Sequence, residues 1–485
     1  MAATVALGSL DRTDIVDGAP PRGAAHFMTQ SPVTGEPLGR YRAYSPEDAR
    51  RAVEVAAAAQ PEWLAGGFPA RRRVLARAAD ILEERFDTIR DIFAIETGSV
   101  SDWAEMNVFE AAATLREAAA LASSPVGELL PSVATRTLNQ SRRGPAGVVL
   151  AIVPWNAPLI LAARASAIAL ALGNAVVLRP SELAPMTAGF ILAEALEAAG
   201  LPQGVVSVVT TAPGGGREAI AGMIEHDAVR RVVFIGSTAV GRRIGEVAGR
   251  ALIPAVLELG GKNATIIRAD ADLDVVIPQL AFSAFANTGQ VCMCTDRVVV
   301  DRSLAAEVTE RLTQAAAGIV VGDPRLAETQ MGPLINDTAA DQFARFVDDA
   351  RSAGASICAG GERDGRYAVP TVVTELPAAA TYYAEEGFSP IVSVHPVDGD
   401  EEALAVANAG DYGLIGAVFS RDSGAATRVA ARMRAGAVHV NGPSVGDEPH
   451  VPFGGLGASG MGRLGGAESV RFFTEQRTLY LHGEG

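Results

Sequence analysis

The chain has 485 residues, enough to bury more than one hydrophobic core, so we expect two or three folded domains. Apolar residues make up 48% of it and charged residues 20%, a composition that excludes a disordered or fibrous protein. The formal net charge of −15 disfavours nucleic acid and anionic membrane surfaces as partners.

The cysteine and histidine content indicates a reduced protein without a metal site. Cys292, Cys294 and Cys358 are too few and too irregularly spaced for a disulfide framework, and no histidines fall at metal-ligand spacing. The N-terminal segment has no basic region followed by a long apolar stretch, and the most apolar segment, residues 146–178, is interrupted by prolines and polar residues. We therefore predict a cytoplasmic protein with no membrane span.

The first part of the chain has the periodicity of helices. Apolar residues recur three and four positions apart in segments 46–59, 71–96 and 101–122. From residue 146 the pattern changes to short β-branched runs, each followed by an amphipathic stretch. These runs are AGVVLAIV, NAVVLR, GVVSVV and RVVFI, with helices predicted to start at residues 159, 187, 217 and 239. This alternation predicts repeated βαβ units and a parallel sheet covered by helices.

A second α/β series follows residue 258. Its predicted strands are NATII, RVVVD, AVPTVVTEL and GAVFS, and its predicted helices span residues 273–286 and 304–317. Two further segments, 132–144 and 476–483, alternate like exposed strands. Because exposed edge strands need a partner, we predict that these two segments pair with each other and across a subunit boundary.

Two strand ends carry residues suited to a dinucleotide. RVVFIGSTAVG places Gly236 and Ser237 at a strand-to-helix turn, where free N–H groups can bind phosphate. The spacing differs from G-x-G-x-x-G, so an ordinary βα turn is the alternative. In LRPSE, the Glu182 carboxylate could bind ribose hydroxyls and repel a 2′-phosphate, which predicts NAD. The charge of Arg179 keeps NADP open as a possibility.

Three further motifs contain candidate catalytic groups. FANTGQVCMCT surrounds Cys292 with small polar residues, which favours a nucleophile over an inert buried thiol. LELGGK places Glu258 at the end of an apolar strand, where desolvation can make it a base; an ion pair with Lys262, the only lysine, is the alternative. VPWNAP holds Asn156 between Trp155 and prolines, so its amide could donate to an oxyanion, unless it is a plain turn asparagine.

Together these motifs resemble the aldehyde dehydrogenase family, from about residue 30 to the C-terminus. The motifs that carry the resemblance are PWNAP, LRPSE, FIGSTAVG, LELGGK, NTGQVCM, EEGFSP and PFGGLGASGMGR. The resemblance implies an α/β fold with a Rossmann-type cofactor domain, an α/β catalytic domain and a small β oligomerisation arm in a homodimer or homotetramer. The implied boundaries are 1–126 with 146–257 for the cofactor domain, 258–460 for the catalytic domain, and 127–145 with 474–485 for the arm.

The resemblance also implies a mechanism of aldehyde oxidation to a carboxylic acid. Cys292 attacks the aldehyde, the Asn156 amide and the Cys292 N–H stabilise the oxyanion, hydride passes to NAD, and Glu258 activates the water that cleaves the thioester. The residues implied to hold the adenine ribose and pyrophosphate are Trp155, Arg179, Glu182, Gly236 and Ser237, and those implied to hold the nicotinamide ribose and ring are Glu386 and Phe388.

The substrate is predicted from the residues beyond Asn156. Ala157 is small and leaves room for a ring, and Arg164, two helical turns further on, can face the same tunnel. PWNAPLILAARA and VNGPSVGDEPHVPFGG resemble most the branch that oxidises salicylaldehyde, vanillin and benzaldehyde. Arg164 then meets a phenolic or anionic substituent, or it forms a structural salt bridge. The alternatives are an aliphatic semialdehyde dehydrogenase, an acylating dehydrogenase that uses coenzyme A, and a catalytically silent binding or structural member of the fold.

Overall fold

Helices and strands alternate through most of the described chain, residues 25–124 and 126–482 of a computed structural model. The helices are α1 (Pro46–Ala65), α2 (Gly67–Glu84), α3 (Phe86–Glu96), α4 (Ser101–Leu121), α5 (Pro158–Ala171), α6 (Ile191–Ala198), α7 (Gly216–Ile224), α8 (Thr238–Arg250), α9 (Leu273–Phe285), α10 (Ala305–Ala317), α11 (Asp337–Ser352), α12 (Thr381–Ala384), α13 (Gly399–Ala407), α14 (Ser423–Ala430) and α15 (Gly466–Phe472). A π-helical turn, Met186–Phe190, leads into α6, and 3₁₀ turns lie at Ala286–Gly289 and Gly457–Ser459.

The strands form two large sheets, one three-stranded sheet and two hairpins. They are β1 (His26–Gln30), β2 (Pro37–Arg42), β3 (Gly127–Leu130), β4 (Thr137–Pro145), β5 (Val148–Val153), β6 (Ala175–Pro180), β7 (Val206–Val208), β8 (Val229–Ile235), β9 (Ala255–Glu258), β10 (Asn263–Ile267), β11 (Thr295–Asp301), β12 (Ser356–Ala359), β13 (Arg363–Asp364), β14 (Tyr367–Ala368), β15 (Thr371–Thr374), β16 (Ile391–Val397), β17 (Ile415–Phe419), β18 (Ala437–Val440), β19 (Gly460–Met461) and β20 (Thr474–His482).

Most of the predicted helices are confirmed, with differences in the N-terminal part. α1 starts at a capping box in which Ser45 Oγ accepts from the Asp48 N–H at 3.1 Å. The prediction of a single helix over residues 71–96 is wrong, because Arg85 leaves the helical conformation (φ −98°, ψ 12°) and separates α2 from α3. The β1–β2 hairpin before α1 was not predicted.

The first large sheet is the predicted parallel sheet. Its strand order is β19-β9-β8-β5-β6-β7, and all neighbouring strands are parallel except β19, which pairs antiparallel with β9. Every residue of β5 is buried, as expected for a strand covered by helices on both faces. The carboxyl ends of β5, β6, β8 and β9 lie at one edge of the sheet, and the motifs of Asn156, Glu182, Gly236 and Glu258 sit at those ends.

The second large sheet has the order β12-β15-β16-β11-β10-β17-β18 and is parallel except for β12. The strand predicted from AVPTVVTEL is interrupted at Pro370, which has no N–H to donate, so β14 and β15 belong to different sheets. The amino ends of β10, β11, β16 and β17 meet at one edge. The loops that enter those strands contribute to the same cavity as the carboxyl edge of the first sheet.

The third sheet has the order β20-β4-β3 and is antiparallel. β20 and β4 pair along their whole lengths, from Thr474 opposite Pro145 to His482 opposite Thr137. The predicted pairing of these two distant segments is therefore confirmed, and residues 1–24, 125 and 483–485 of the predicted domains lie outside the described residues. In the part of the chain that the structure describes, no helix is long and apolar enough to cross a bilayer.

Candidate active site

A cavity of about 470 Å³ lies between the two large sheets. The first sheet contributes residues that follow its strands, and the second contributes residues that precede its strands, so the cavity is formed where the two edges meet. Ten of the predicted site residues line it: Trp155, Asn156, Ala157, Arg164, Gly236, Ser237, Glu258, Cys292, Glu386 and Phe388. Arg179 and Glu182 are not among the lining residues.

Glu258 ends β9 and is 3% exposed. Among the described residues its Oε1 atom has no hydrogen-bond partner. Desolvation raises the pKa of the Glu258 carboxyl to about 7, although the charge of Arg164 opposes the shift. The alternative of an ion pair with Lys262 is wrong, because Lys262 Nζ bonds Asp296 Oδ1 at 3.2 Å instead. Glu258 is therefore a carboxyl group that can exchange a proton near neutral pH.

Cys292 lies in the loop between the 3₁₀ turn Ala286–Gly289 and β11. Burial raises the pKa of its thiol to about 12, with the carboxylates of Glu386 and Glu258 adding to the shift and Arg164 opposing it. The sulfur is thus protonated at neutral pH, and a nearby base has to accept its proton during a reaction.

Asn156 follows β5 and is 4% exposed. Its backbone carbonyl accepts two hydrogen bonds, from Trp103 Nε1 at 2.9 Å and from Asn287 Nδ2 at 3.0 Å. Pro158 starts α5 two residues later and restricts the backbone on that side. The position of Asn156 is therefore fixed from α4, from α5 and from the turn before Cys292.

Arg164 was predicted either to face the substrate tunnel or to form a structural salt bridge. In the structure it lines the cavity and also forms a salt bridge. Its Nη1 atom pairs with Asp447 Oδ2, and its guanidinium lies 5.3 Å from the centroid of the Phe453 ring. The Arg164 side chain is 9% exposed and that of Asp447 is 18% exposed. A buried arginine therefore stands on the cavity wall with its charge compensated by a carboxylate.

The backbone N–H groups in the first turn of α8, just after β8, have no side-chain cap. Ser237 is the residue before α8, and its side chain makes no capping hydrogen bond to that helix. A Cβ atom on Gly236 would lie 2.8 Å from the tip of the buried Phe234 ring, so a side chain at this position would displace that ring. Nearby, the rings of Trp155 and Phe388 meet edge to face, with centroids 5.8 Å apart.

Glu386 is held against the loop that follows Glu258. Its Oε1 atom accepts from the Gly261 N–H at 2.9 Å, and a Cβ atom on Gly260 would lie only 2.2 Å from Oε2. The glycines therefore allow the carboxylate to lie directly on the backbone. Desolvation raises the pKa of Glu386 to about 8, against the effect of the Gly261 hydrogen bond.

Arg179 and Glu182 form a separate cluster at the end of β6. Arg179 Nη2 bonds Glu182 Oε2 at 2.9 Å and Thr211 Oγ1 at 2.7 Å. The Arg179 guanidinium is thus bonded to side chains of the same chain, and its charge is compensated by Glu182.

No group of residues suited to hold a metal ion occurs in ranges 25–124 and 126–482.

Comparison with known proteins establishes the family. The sequence pattern described as "Aldehyde dehydrogenase family" matches residues 20–479. The chain belongs to the aldehyde dehydrogenase family. A vanillin dehydrogenase of Pseudomonas sp. (strain HR199) is 44% identical over 453 residues, which cover 93% of this chain and 94% of the relative. A benzaldehyde dehydrogenase [NAD(+)] of Pseudomonas putida is 38% identical, with 92% and 91% covered.

Solved structures of aldehyde dehydrogenases have the same fold. A salicylaldehyde dehydrogenase from Pseudomonas putida G7, complexed with salicylaldehyde, superimposes with a TM-score of 0.94 at 34% identity and covers 98% of both chains. A betaine aldehyde dehydrogenase from Staphylococcus aureus in complex with NAD⁺ has a TM-score of 0.93 at 30% identity, with 98% of this chain and 95% of that chain covered. The predicted family and fold class are confirmed.

Several cavity residues of this aldehyde dehydrogenase were not predicted from sequence. Trp103 and Glu110 come from α4, which has the pattern of an ordinary amphipathic helix, and Gln342 comes from α11. Asp447 and Phe453 lie in the segment VNGPSVGDEPHVPFGG, which carried the resemblance without marking either residue. Of these residues, only Asp447 and Phe453 lie in a segment that the sequence analysis used. That segment indicated a branch of the family but did not predict which of its side chains line the cavity.

Proposed function

We propose that this protein oxidises aromatic aldehydes to carboxylic acids with NAD, through a covalent intermediate on Cys292. The observation that carries the proposal is that Cys292, Glu258 and Asn156 line one cavity although they come from distant parts of the chain. A thiol, a base of suitable pKa and a rigid amide donor are the groups that covalent aldehyde oxidation needs.

The first step joins Cys292 to the substrate. The sulfur attacks the aldehyde carbon, the carbon–sulfur bond forms, and the carbonyl oxygen becomes an oxyanion that accepts hydrogen bonds from the Asn156 amide and the Cys292 N–H. Burial raises the pKa of the Cys292 thiol, and Glu258, whose pKa is raised to about 7, is the base proposed to take the thiol proton as the sulfur attacks. The product of this step is a thiohemiacetal on Cys292.

The second half of the reaction releases the acid. Glu386 and Phe388 would hold the nicotinamide, which would supply the hydride acceptor, and loss of hydride from the substrate carbon leaves a thioester on Cys292. Glu258 first releases the thiol proton to solvent, and it then takes a proton from water as the water oxygen attacks the thioester carbon. The carbon–sulfur bond breaks, the carboxylic acid leaves, and Cys292 regains a proton. The sum is aldehyde, NAD⁺ and water converted to acid, NADH and a proton.

Two groups of residues support a dinucleotide in this protein. The N-terminus of α8, which follows Ser237 and has no side-chain cap, would provide N–H groups for the pyrophosphate, with Gly236 in the turn before it. Glu386 and Phe388 would face the nicotinamide ribose and ring, since they line the cavity with Cys292. The Staphylococcus aureus relative was solved in complex with NAD⁺, which supports NAD as the cofactor.

NAD is favoured over NADP by the cluster at the end of β6. Glu182 would bind the adenosine ribose hydroxyls and repel a 2′-phosphate, and Arg179 is already bonded to Glu182 and Thr211. We expect kcat/KM to be higher with NAD than with NADP, and Glu182→Gln to narrow that preference by roughly tenfold. Equal use of both cofactors by the wild type would contradict the assignment.

An aromatic substrate fits the shape and polarity of the cavity. Ala157 is small, and the volume of about 470 Å³ is in the range of small-molecule sites. The apolar lining residues include Trp103, Met106, Ile160, Leu161, Val291, Met293, Leu414, Val445 and Phe453. The named activities of the vanillin, benzaldehyde and salicylaldehyde relatives point to the same substrate class. Arg164 is the only cationic side chain among the described lining residues, and the acidic side chains of Glu110, Asp447 and Glu258 near it disfavour an anionic aliphatic semialdehyde.

A substrate panel tests the proposal. The protein is mixed with NAD and with benzaldehyde, vanillin, salicylaldehyde or a carboxylated aliphatic semialdehyde, with and without coenzyme A, and NADH formation is followed. We expect the aromatic aldehydes to have the highest kcat/KM, coenzyme A to have no effect, and Cys292→Ser to be inactive. A preference for the semialdehyde, an acyl-coenzyme A product or an inactive wild type would each support one of the alternatives instead.

Arg164 can also contribute to selectivity, because its guanidinium stands on the cavity wall beside Phe453. If it meets a phenolic oxygen, Arg164→Leu raises KM for hydroxylated benzaldehydes more than for benzaldehyde itself. An equal effect on both substrates would restrict Arg164 to its salt bridge with Asp447.

A second copy of the chain is the proposed partner of the arm formed by β3, β4 and β20. Leu129 and Leu481 are 66% and 47% exposed on this sheet, and further apolar side chains, Leu130, Leu138 and Tyr480, are exposed beside them. Leu129→Glu with Leu481→Glu should lower the oligomer mass measured by light scattering from a dimer or tetramer toward a monomer. Leu326→Glu, at a 52% exposed site outside the arm, is the control.

The three cysteines are free thiols in the described part of the chain. Free thiols are typical of proteins in a reducing compartment, which supports a cytoplasmic location.

A further inference from the structure

The turn that precedes Cys292 has a backbone conformation that most side chains avoid. Asn287, Thr288 and Gly289 have φ values of +48°, +62° and +68° in succession. Only Gly289 is a glycine, and a Cβ atom there would lie 2.2 Å from the Ser389 carbonyl oxygen. Two non-glycine residues in the left-handed region persist only where surrounding contacts hold them, and such residues cluster at functional sites.

The side chain of Asn287 bridges two parts of the protein. Its Oδ1 atom accepts from Ser99 Oγ at 3.1 Å, and its Nδ2 atom donates to the Asn156 carbonyl at 3.0 Å. The amide orientation is determined by chemistry, because a backbone carbonyl can only accept and the atom facing it must carry hydrogen. The same carbonyl accepts from Trp103 Nε1 at 2.9 Å. Asn156 is thus held by one donor from α4 and one from the turn before Cys292.

This bridge crosses the boundary between the two large sheets. Asn156 follows β5 of the first sheet, and Cys292 precedes β11 of the second, so no strand pairing fixes the distance between them. Asn287 belongs to the 3₁₀ turn that leads into the Cys292 loop, and it bonds the backbone of Asn156 directly. Asn287 itself does not line the cavity and can act only through these two residues.

We propose that Asn287 is a positioning residue, whose side-chain amide clamps the Asn156 backbone to the turn that leads into the Cys292 loop and so sets the place of the oxyanion donor relative to the attacking sulfur. The inference rests on the proposed function, because it needs Asn156 to stabilise an oxyanion formed at Cys292. Displacement of an oxyanion donor by about 1 Å costs on the order of a hundredfold in rate.

A competing explanation is that asparagine is present only because it tolerates the left-handed region. The two explanations predict different results for Asn287→Gly, since glycine adopts this conformation freely but has no amide. Asn287→Asp gives a second test: it keeps the size of the side chain and the acceptor for Ser99, but it directs an oxygen at the Asn156 carbonyl. Ser99→Ala removes the contact that orients the amide and should have a smaller effect.

The decisive measurement is the single-turnover rate of NADH formation with benzaldehyde, together with kcat, KM and the Kd of NAD. We expect Asn287→Gly and Asn287→Asp to slow NADH formation by roughly 10- to 100-fold, while the Kd of NAD changes less than about twofold. Alkylation of Cys292 by iodoacetamide should also keep its wild-type rate, because the clamp acts on Asn156 rather than on the thiol. A structural defect alone would instead lower NAD binding, thiol reactivity and thermal stability together.

A wild-type rate of NADH formation in Asn287→Gly would overturn the inference, and so would a loss confined to NAD binding. If Asn287→Gly does not fold, Asn287→Asp decides by the same criteria. Failure of the proposed function gives a different pattern: either the wild type does not oxidise aldehydes, or Cys292→Ser retains activity. An active, Cys292-dependent wild type with an unaffected Asn287→Gly variant would contradict the positioning role alone.

Discussion

Lys262 Nζ lies 3.2 Å from Asp296 Oδ1, with the two side chains only 1% and 8% exposed. The same Asp296 oxygen accepts from the Gly387 N–H at 3.0 Å, next to Glu386. Lys262 Nζ also lies 3.5 Å from the centroid of the Tyr382 ring. The pair therefore connects the loop after Glu258 to the loop that carries Glu386, and both loops border the cavity.

Removal of the lysine charge should destabilise the protein strongly. Lys262→Met leaves Asp296 buried without its cation, so we expect a loss of about 3–5 kcal/mol in the free energy of unfolding. The double variant Lys262→Met with Asp296→Asn removes both charges and should lose less than the sum of the two single variants. Urea denaturation of all four proteins measures the difference, and simple additivity would show that the two side chains do not interact.

The stability contributed by Glu258 should depend on pH. Its pKa is raised to about 7 in the folded protein, so the folded state binds the proton more tightly, and this contribution is present at low pH and lost as the pH rises toward 7. Glu258→Gln does not titrate there. We expect the variant to gain stability relative to the wild type between about pH 5 and pH 8, by up to roughly 3 kcal/mol. Melting temperatures across this range test the sign, and a constant difference would contradict it.

The charges around Cys292 should control its reactivity in opposite directions. Asp447 raises and Arg164 lowers the pKa of the thiol, so Asp447→Asn should speed alkylation by iodoacetamide, and Arg164→Met should slow it. Both are made in a Cys358→Ser background, because Cys358 is exposed and would react first. Mass spectrometry of the Cys292 peptide follows the rate. Changes of the same sign in both variants would indicate altered access to the thiol rather than altered charge.

Gly289 should not tolerate a side chain. An alanine there has to adopt a φ of +68° and also places its Cβ atom 2.2 Å from the Ser389 carbonyl oxygen. Gly354→Ala is the matched control, because Gly354 has a φ of +94° but no atom within 4 Å of the added Cβ. We expect the control to lose about 1–2 kcal/mol of stability and Gly289→Ala to lose clearly more. Equal losses would mean that the turn moves freely away from Ser389.

The elements of the fold and the positions of the motifs follow from local sequence patterns. Glu258 and Gly236 stand at strand ends because apolar β-branched runs stop there, and such runs are visible in the sequence. The break at Arg85 has no such marker: the residues around it carry neither proline nor glycine, and the helical periodicity continues across it. Packing rather than propensity decides that position.

The contacts inside the site are harder to predict, because they join residues far apart in the chain. The salt bridge between Arg164 and Asp447 and the hydrogen bond from Asn287 to Asn156 depend on how the two sheets approach each other. A sequence pattern places each residue on its own element but contains no information on that approach. For the same reason, the periodicity of residues 101–122 predicts a helix but not the hydrogen bond from Trp103 to the Asn156 carbonyl.

The burial of Lys262 also bears on how the protein withstands its own substrates. Aldehydes condense with primary amines and lose water to form imines, so lysine side chains on a protein surface are targets for such adducts. Lys262 is the only lysine in the chain, and its side chain is 1% exposed beneath Tyr382 and Asp296. All other basic side chains apart from histidine are guanidinium groups. The protein surface therefore has no ε-amino group with which an aldehyde could form an imine. Cys292 can react with the aldehyde substrate while the single lysine stays unmodified.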